Sequence, residues 1–216
     1  MPRILKVKKF GSKSWENMIT ETLNILKGGG IIAFPTDTFY GLGANPYNKT
    51  AVDKIYSIKD RDPEKPLLLL IDSFAKLDDL VEDISEAAEK LIESFWPGPL
   101  TMLFKPKHTI PKFITTGLLG VRQPGNLITR EILSELNFPL TAPSANISGK
   151  TPATSAEQVK NYLGNKVDLI LDAGFCKGGE PSTLIDTTKA PVQLIRKGAI
   201  DFKKIQASLN QTQRLA

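Results

Sequence analysis

Apolar and polar positions follow two periods along this chain, and together they predict a mixture of helices and strands. Apolar residues spaced three or four apart predict helices over about residues 15–26, 50–58, 74–81, 85–95, 127–136 and 155–163. Short apolar or alternating runs predict strands at residues 31–34, 67–71, 100–104, 120–122, 139–142, 168–171, 183–186 and 192–196. This order of elements predicts an α/β sheet covered by helices.

Local signals support several of these boundaries. Three glycines, Gly28 to Gly30, end the first predicted helix, and Asn48 is a suitable N-cap for the second. Ser155 and Gln158 form a capping-box pattern before the last predicted helix. Since no linker and no repeat period interrupt the pattern, we expect a single domain over residues 1–216.

Polar residues lie beside three of the predicted buried strands. Lys59-Asp60-Arg61 precedes the apolar run at 67–71, and Ser144-Ala145-Asn146 follows the run at 138–142. The strand at 31–34 ends at Pro35, which releases a loop with two threonines, a carboxylate and a tyrosine. Ligand crevices of α/β sheets form where loops leave strand ends. Cations and small hydrogen-bonding side chains at these positions predict a site for a polyanion.

Each group also has an ordinary structural interpretation. The Lys-Asp-Arg run is compatible with a solvated surface, and Ser-x-Asn with a turn held by side-chain to backbone bonds. Arg122, at a predicted strand end, is compatible with an ion pair to a helix acid. The residues alone leave these alternatives open.

The net charge of +5 is concentrated at the two ends of the chain. Residues 1–13 carry five basic and no acidic side chains, and residues 196–216 carry five basic residues against Asp201. The remainder is therefore net negative. Such ends could contact RNA phosphates, although a solvated basic terminus is commoner.

Several kinds of site lack the residues they need. Cys176 is the single cysteine and His108 the single histidine, which excludes an internal disulfide, a cysteine-rich zinc site and a histidine triad. Neither a phosphate loop of the Gly-x-x-x-x-Gly-Lys-Ser/Thr type nor an ordered Gly-x-Gly-x-x-Gly occurs. No apolar run has the length of a signal peptide or membrane span. We expect a cytoplasmic protein with no protein-bound metal.

Six ordered motifs can be read along the chain: PTDTFYGL (35–42), Lys59-x-Arg61, WPGPLT (96–101), VR (121–122), APSANISG (142–149) and STLID (182–186). In this order they resemble the motifs of the YrdC-type threonylcarbamoyl-AMP synthases. The resemblance covers about residues 15–198 and leaves a basic extension at 1–13 and a short basic tail at 199–216. It implies an open, twisted, mixed sheet with flanking helices around a central basic cavity, the YrdC/RibB-like architecture.

The resemblance also implies roles for individual residues. It places Lys59, Arg61, Ser144 and Asn146 in catalysis and nucleotide binding, with Lys65 and Arg196 as further nucleotide contacts. It places Thr38, Arg122, Ala142 and Ser182 around threonine. Some members carry a histidine where this chain has only leucines, at 67–70. Because the resemblance places Lys59 and Arg61 in catalysis and nucleotide binding, replacing either residue with alanine should remove most of the turnover while the fold stays intact.

The implied enzyme is a nucleotidyltransferase that joins L-threonine, bicarbonate or CO₂, and ATP into threonylcarbamoyl-AMP and pyrophosphate, for N6-threonylcarbamoyladenosine at position 37 of tRNA. Mg²⁺ would arrive with ATP, and a downstream threonylcarbamoyl transferase would collect the adenylate. A double-stranded RNA or tRNA-binding module without catalysis is the alternative. A carbamoyl-transferring relative of hydrogenase maturation proteins is the third possibility.

Overall fold

The computed structural model describes residues 2–211. In this part of the chain the α-helices are α1 (Lys13–Lys27), α2 (Lys49–Lys59), α3 (Phe74–Leu80), α4 (Glu86–Phe95), α5 (Leu127–Ser134), α6 (Ala156–Leu163) and α7 (Phe202–Gln211). The strands are β1 (Arg3–Lys6), β2 (Ile32–Phe34), β3 (Gly41–Gly43), β4 (Leu69–Leu70), β5 (Leu100–Phe104), β6 (Leu119–Arg122), β7 (Leu140–Thr141), β8 (Leu169–Asp172), β9 (Thr183–Asp186) and β10 (Gln193–Arg196).

The strands form two open mixed sheets. One has the order β1-β8-β2-β3 and the other the order β10-β9-β5-β6-β4-β7. In the first sheet β8 pairs in parallel with both β1 and β2, and β2 pairs with β3 antiparallel. In the second, parallel and antiparallel pairs alternate from β10 to β7. The expected mixed α/β architecture with flanking helices is confirmed.

Backbone and side-chain bonds join the two sheets where β3 meets β7. The Leu42 amide donates to the Pro143 carbonyl (2.8 Å), and the Thr141 amide donates to the Ala44 carbonyl (3.1 Å). The Thr141 hydroxyl is buried there and donates to the Leu42 carbonyl. The loops that follow β2 and β7 are therefore held side by side.

Helices cover both faces of the first sheet and one face of the second. Residues of α2 and α6 share one apolar cluster with the first sheet, and residues of α1 and α5 share another on its opposite side. Residues of α3, α4 and α7 pack on a single face of the second sheet. The other face of the second sheet is left to form a cavity.

The cap signals of the sequence act as predicted. Asn48 accepts a hydrogen bond from the Ala51 amide at the start of α2, and Ser155 accepts one from the Gln158 amide at the start of α6. At the end of α1 the Gly28 amide donates to the Asn24 carbonyl. The predicted helices are present, with ends that differ by a few residues.

Three elements were not predicted from the pattern. Strand β1 lies inside the expected N-terminal extension and is stabilised by pairing with the distant β8. Strand β3 is Gly-Leu-Gly, a composition that disfavours strands, and helix α7 occupies most of the expected tail. Residues 212–216 of that tail lie outside the described residues. These elements depend on tertiary packing, which a local pattern does not report.

Candidate active site

One face of the second sheet forms the floor of a cavity of about 460 Å³. Side chains alternate between the faces of a strand. Met102 and Val121 therefore point into the core, while Thr101, Leu103 and Arg122 line the cavity. The walls come from the loops that follow β2, α2 and β7.

The cavity is strongly cationic. Arg61, Lys65, Arg122 and Arg196 line it, and no acidic side chain of residues 2–211 does. Burial, and then the nearby charge of Arg61, lowers the pKa of Arg196. Burial, and then Arg196, lowers the pKa of Arg122. Since guanidinium groups remain protonated in proteins, their mutual repulsion favours an anionic ligand between them.

Arg61 is held by the loop that follows α2. Its Nε donates to the Lys65 carbonyl (3.2 Å) and a terminal nitrogen donates to the Pro66 carbonyl (3.0 Å). Asp60 adopts a left-handed conformation (φ 48°), and this ends the helix and turns the chain before Arg61. The guanidinium is thus oriented toward the cavity without a salt bridge to an acid within the described residues.

Lys59 is placed differently from its expected position beyond the helix. It is the last residue of α2, is 2% exposed, and does not line the cavity. Its ammonium donates to the carbonyls of Ser144 and Asn146 (2.8 Å to Asn146) and to Asn146 Oδ1 (3.2 Å). An ammonium has three donors, and these oxygens use all of them. Lys59 and Arg61 therefore point to different surroundings, because the left-handed turn at Asp60 separates them.

The sequence left two interpretations open for the Ser144-Asn146 loop, a ligand site and a turn stabilised by its own side chains. The structure shows features of both. Ser144 lines the cavity, and its hydroxyl donates to Asn146 Oδ1 (2.6 Å). Asn146 is buried outside the cavity lining and donates to the Ile147 carbonyl (3.0 Å). The loop is a turn stabilised by side chains, and the turn presents Ser144 to the cavity.

Thr38, Arg122, Ala142 and Ser182 all line the cavity. Ser182 bonds to the Thr101 hydroxyl (2.8 Å) and accepts from Arg196 at its carbonyl (2.9 Å) and hydroxyl (3.2 Å). The structure thus brings these four together with Arg61, Lys65, Ser144 and Arg196. Of the ten predicted site residues, only Lys59 and Asn146 stand behind the lining.

Arg122 forms the ion pair that the sequence left open, but with a loop acid. Its guanidinium contacts the Asp37 carboxylate, and its Nε donates to the Gly98 carbonyl (3.1 Å). The expected partner was an acid on a helix, whereas Asp37 belongs to the loop after β2. The pairing joins residues that are far apart in sequence, so no local signal could identify it.

Two threonines to which no individual role was assigned also line the cavity. Thr36 bonds to the Thr38 hydroxyl (3.1 Å) and donates to the Phe39 carbonyl (2.7 Å). Thr101 is 2% exposed and lies on the cavity face of β5. The sequence did contain a signal for Thr101, because it alternates with the core residue Met102 along β5 and must therefore point to the opposite face of the sheet. Thr183, in contrast, uses its hydroxyl to bond the Ile200 carbonyl (2.7 Å).

The leucines that replace the family histidine divide between cavity and core. Leu67, Leu68 and Leu70 line the cavity, and Leu69 packs in the core below. This wall of the cavity is accordingly apolar.

The remaining sequence candidates take no part in the site. His108 is exposed in a turn, and Cys176 is half-buried, with its pKa raised by burial. Among residues 2–211 no cluster of three or more His, Cys, Asp or Glu side chains could hold a metal ion. The helices in that range are too short or too polar to cross a membrane.

A family model described as Sua5/YciO/YrdC, telomere recombination, matches residues 24–198. The chain belongs to the Sua5/YciO/YrdC family. The threonylcarbamoyl-AMP synthase of Pyrococcus abyssi is 39% identical over 188 residues, which cover 86% of this chain and 55% of that protein. A Methanocaldococcus jannaschii relative is 34% identical over 203 residues and matches at nearly full length, 94% of this chain and 96% of the relative. This family member therefore spans about half of one relative and nearly all of another.

Solved structures of family members share the fold. Sua5 of P. abyssi complexed with L-threonine superposes with a TM-score of 0.90 at 36% identity, covering 96% of this chain and 61% of that one. YciO of Escherichia coli gives a TM-score of 0.85 at 25% identity, covering 95% and 100%. The Sua5/YciO/YrdC fold thus extends over almost all of this chain.

Proposed function

We propose that this chain is an L-threonylcarbamoyladenylate synthase that acts as a single domain. It would convert L-threonine, bicarbonate or CO₂, and ATP into threonylcarbamoyl-AMP and pyrophosphate. The observation that carries the proposal is the cavity, where a group of cations lies beside a group of hydroxyls and no acidic side chain among residues 2–211 is part of the lining. A polyphosphate and a small polar amino acid fit these two parts.

The chemistry needs no covalent enzyme intermediate. The uncharged threonine amine would add CO₂ and lose a proton to water, which gives a carbamate anion. A carbamate oxygen would then attack the α-phosphorus of ATP as the bond to pyrophosphate breaks. Both reactants are anions, so catalysis would come from holding them together and from neutralising the charge that develops. Arg61, Lys65 and Arg196 are assigned to the phosphates, together with the Ser144 hydroxyl.

The amino-acid end is assigned to the residues around Arg122. Its guanidinium would bind the threonine carboxylate, with Thr38, Ser182 and the small Ala142 next to the side chain. Lys59 and Asn146 would act by fixing the loop that presents Ser144. Mg²⁺ would be held by ATP oxygens and water, since none of the carboxylates in the described part of the chain lines the cavity.

The proposed product serves N6-threonylcarbamoyladenosine synthesis at position 37 of tRNA, in the cytoplasm. A transferase acting next would collect the adenylate. Contact with tRNA through the basic chain ends belongs to the same proposal. The alternative, an RNA-binding module without catalysis, gains no support from relatives named as synthases.

Pyrophosphate release from ATP tests the proposal. We expect release only when threonine and bicarbonate are both present, together with a threonine- and bicarbonate-derived adenylate by mass spectrometry. Release without threonine would contradict the proposal, and so would no release under any mixture. Salt-dependent binding of double-stranded RNA in an inactive preparation would favour the alternative.

Lys59 predicts a pH dependence of nucleotide binding. Burial, and then the charge of Arg61, lowers the pKa of Lys59 from its ordinary 10.5 to about 8. At pH values between these two pKa values, Lys59 carries its proton in the unfolded chain but has lost it in the folded chain. The contribution of Lys59 to the free energy of unfolding therefore increases as the pH rises. The affinity for the nucleotide should change in the opposite direction and fall as the pH rises. Loss of the Lys59 proton weakens the hydrogen bonds from Lys59 that hold the Ser144-Asn146 loop.

We therefore expect the Kd for ATP to rise as pH increases through about 8, measured by calorimetry from about pH 7 to about pH 9.5. Lys59→Arg provides the control, because arginine keeps its charge over this range. A flat profile for the native enzyme, or the same inflection in Lys59→Arg, would contradict the assignment.

A further inference from the structure

The side chain of Asp37 is almost enclosed behind the cavity and has one charged partner. It is 18% exposed and contacts the guanidinium of Arg122, which is 3% exposed. Both Asp37 oxygens are buried, and apart from the contact with Arg122 they have no hydrogen-bond partner within residues 2–211. A buried carboxylate with so little support is costly for stability. This cost makes a purely structural explanation of Asp37 unsatisfactory.

Neither of the other cavity arginines has an acidic partner in the described part of the chain. Arg61 donates to the carbonyls of Lys65 and Pro66, and Arg196 donates to Ser182. These are neutral acceptors, so neither guanidinium is neutralised by a directly bound carboxylate of residues 2–211. Asp37 compensates the charge of Arg122 alone. The cavity therefore contains two arginines without an acidic partner and one arginine that is electrically balanced.

The balanced arginine and the two unbalanced ones favour different anions. A polyphosphate carries several negative charges, and the Coulomb energy scales with the product of the interacting charges. Its binding free energy is therefore most favourable beside arginines that have no acidic partner. A single carboxylate on a zwitterionic amino acid gains mainly from directed N–H donors. Arg122 keeps unused donors in addition to those directed at Gly98 and Asp37.

We propose that Asp37 determines the specificity of the cavity by compensating Arg122, so that polyphosphate binds at Arg61 and Arg196 and Arg122 stays free for the amino-acid carboxylate. Asp37 is also a positioning residue, because its contact orients the guanidinium. The identity of the two ligands rests on the proposed function. The division of charge follows from the ion pair itself.

The test compares Asp37→Asn, which keeps the shape and removes the charge, with the native enzyme. Inorganic tripolyphosphate is the probe, and its binding is measured by calorimetry with and without L-threonine. We expect Asp37→Asn to bind tripolyphosphate roughly tenfold more tightly. We also expect tripolyphosphate to compete with threonine in the variant and not in the native enzyme. In steady-state kinetics of Asp37→Asn, the fold increase in the KM for threonine should exceed the fold decrease in kcat.

Two variants serve as controls. Asp62→Asn removes an exposed acid close to Arg61 and gives the same change in net charge, so it should keep the native pattern of competition. Asp37→Asn combined with Arg122→Gln removes both charges and should return tripolyphosphate affinity to about the native value. Thermal unfolding of each variant shows whether it is folded.

Unchanged tripolyphosphate affinity in folded Asp37→Asn would overturn the inference, as would equal weakening of both ligands. Tripolyphosphate binding that is clearly tighter in the variant carrying both Asp37→Asn and Arg122→Gln than in the native enzyme would also overturn it. Failure of the proposed function gives a different result. The native chain would then release no pyrophosphate, while the tripolyphosphate measurements would still report the effect of Asp37.

Discussion

Arg61→Ala is expected to lower kcat/KM for ATP by about 10²- to 10³-fold while the free energy of unfolding stays nearly constant. The guanidinium lines the cavity and has only carbonyl partners, so its charge is available to the phosphates. Removing it leaves two carbonyls in a half-exposed loop, where water can replace it. Steady-state kinetics and chemical denaturation measure the two quantities.

Arg61→Lys is the matched comparison. Lysine keeps a positive charge but loses the planar fork, so we expect it to restore only part of the activity. Asp62→Asn, next in the chain, should have near-native kcat/KM. If Arg61→Ala retains near-native kcat/KM, the assignment of the cationic end to the nucleotide is wrong.

Lys59→Ala is expected to reduce kcat/KM by about 10²-fold and to destabilise the fold by about 3 kcal/mol. The ammonium satisfies oxygens of Ser144 and Asn146 in a buried setting. Without it these acceptors lose their partners and the loop moves, which displaces the Ser144 hydroxyl from the cavity. The sequence predicted an intact fold for this variant, and the buried contacts change that expectation.

Two comparisons separate the effect on the loop from a loss of helix stability. Lys54→Ala, on the same helix, removes an exposed lysine paired with Asp168 and should leave activity near native. Lys59→Met keeps most of the volume without the charge and should remain almost as inactive as Lys59→Ala. Native activity in Lys59→Met would contradict a role for the ammonium in shaping the site. Activity and unfolding are measured as for Arg61.

The short range of helix and turn signals explains what could be predicted. Asn48 and Ser155 bond to amides three residues ahead, so a short stretch of sequence contains each complete signal. The proline after β2 and the polar runs beside other strands likewise located the loops around the cavity. Eight of the ten site residues that the family resemblance implied line this cavity.

Long-range contacts explain what could not be predicted. Strand β1 pairs with β8 across most of the chain, and helix α7 packs against α4. The same holds for Arg122, which the sequence placed at a strand end without its loop partner Asp37. Its ion pair depends on how close the end of β6 and the loop after β2 come in the folded chain.

The sequence by itself determined the α/β order of elements, their caps, and the positions of the cations and hydroxyls beside the strands, because these follow from periods and neighbours of a few residues. Only the tertiary structure decided which cations face the cavity and which are already satisfied. Arg61 is open to a ligand, Lys59 is bound to its own loop, and Arg122 is compensated by Asp37. Burial and partners in space decide these differences, and residue type alone carries no record of them.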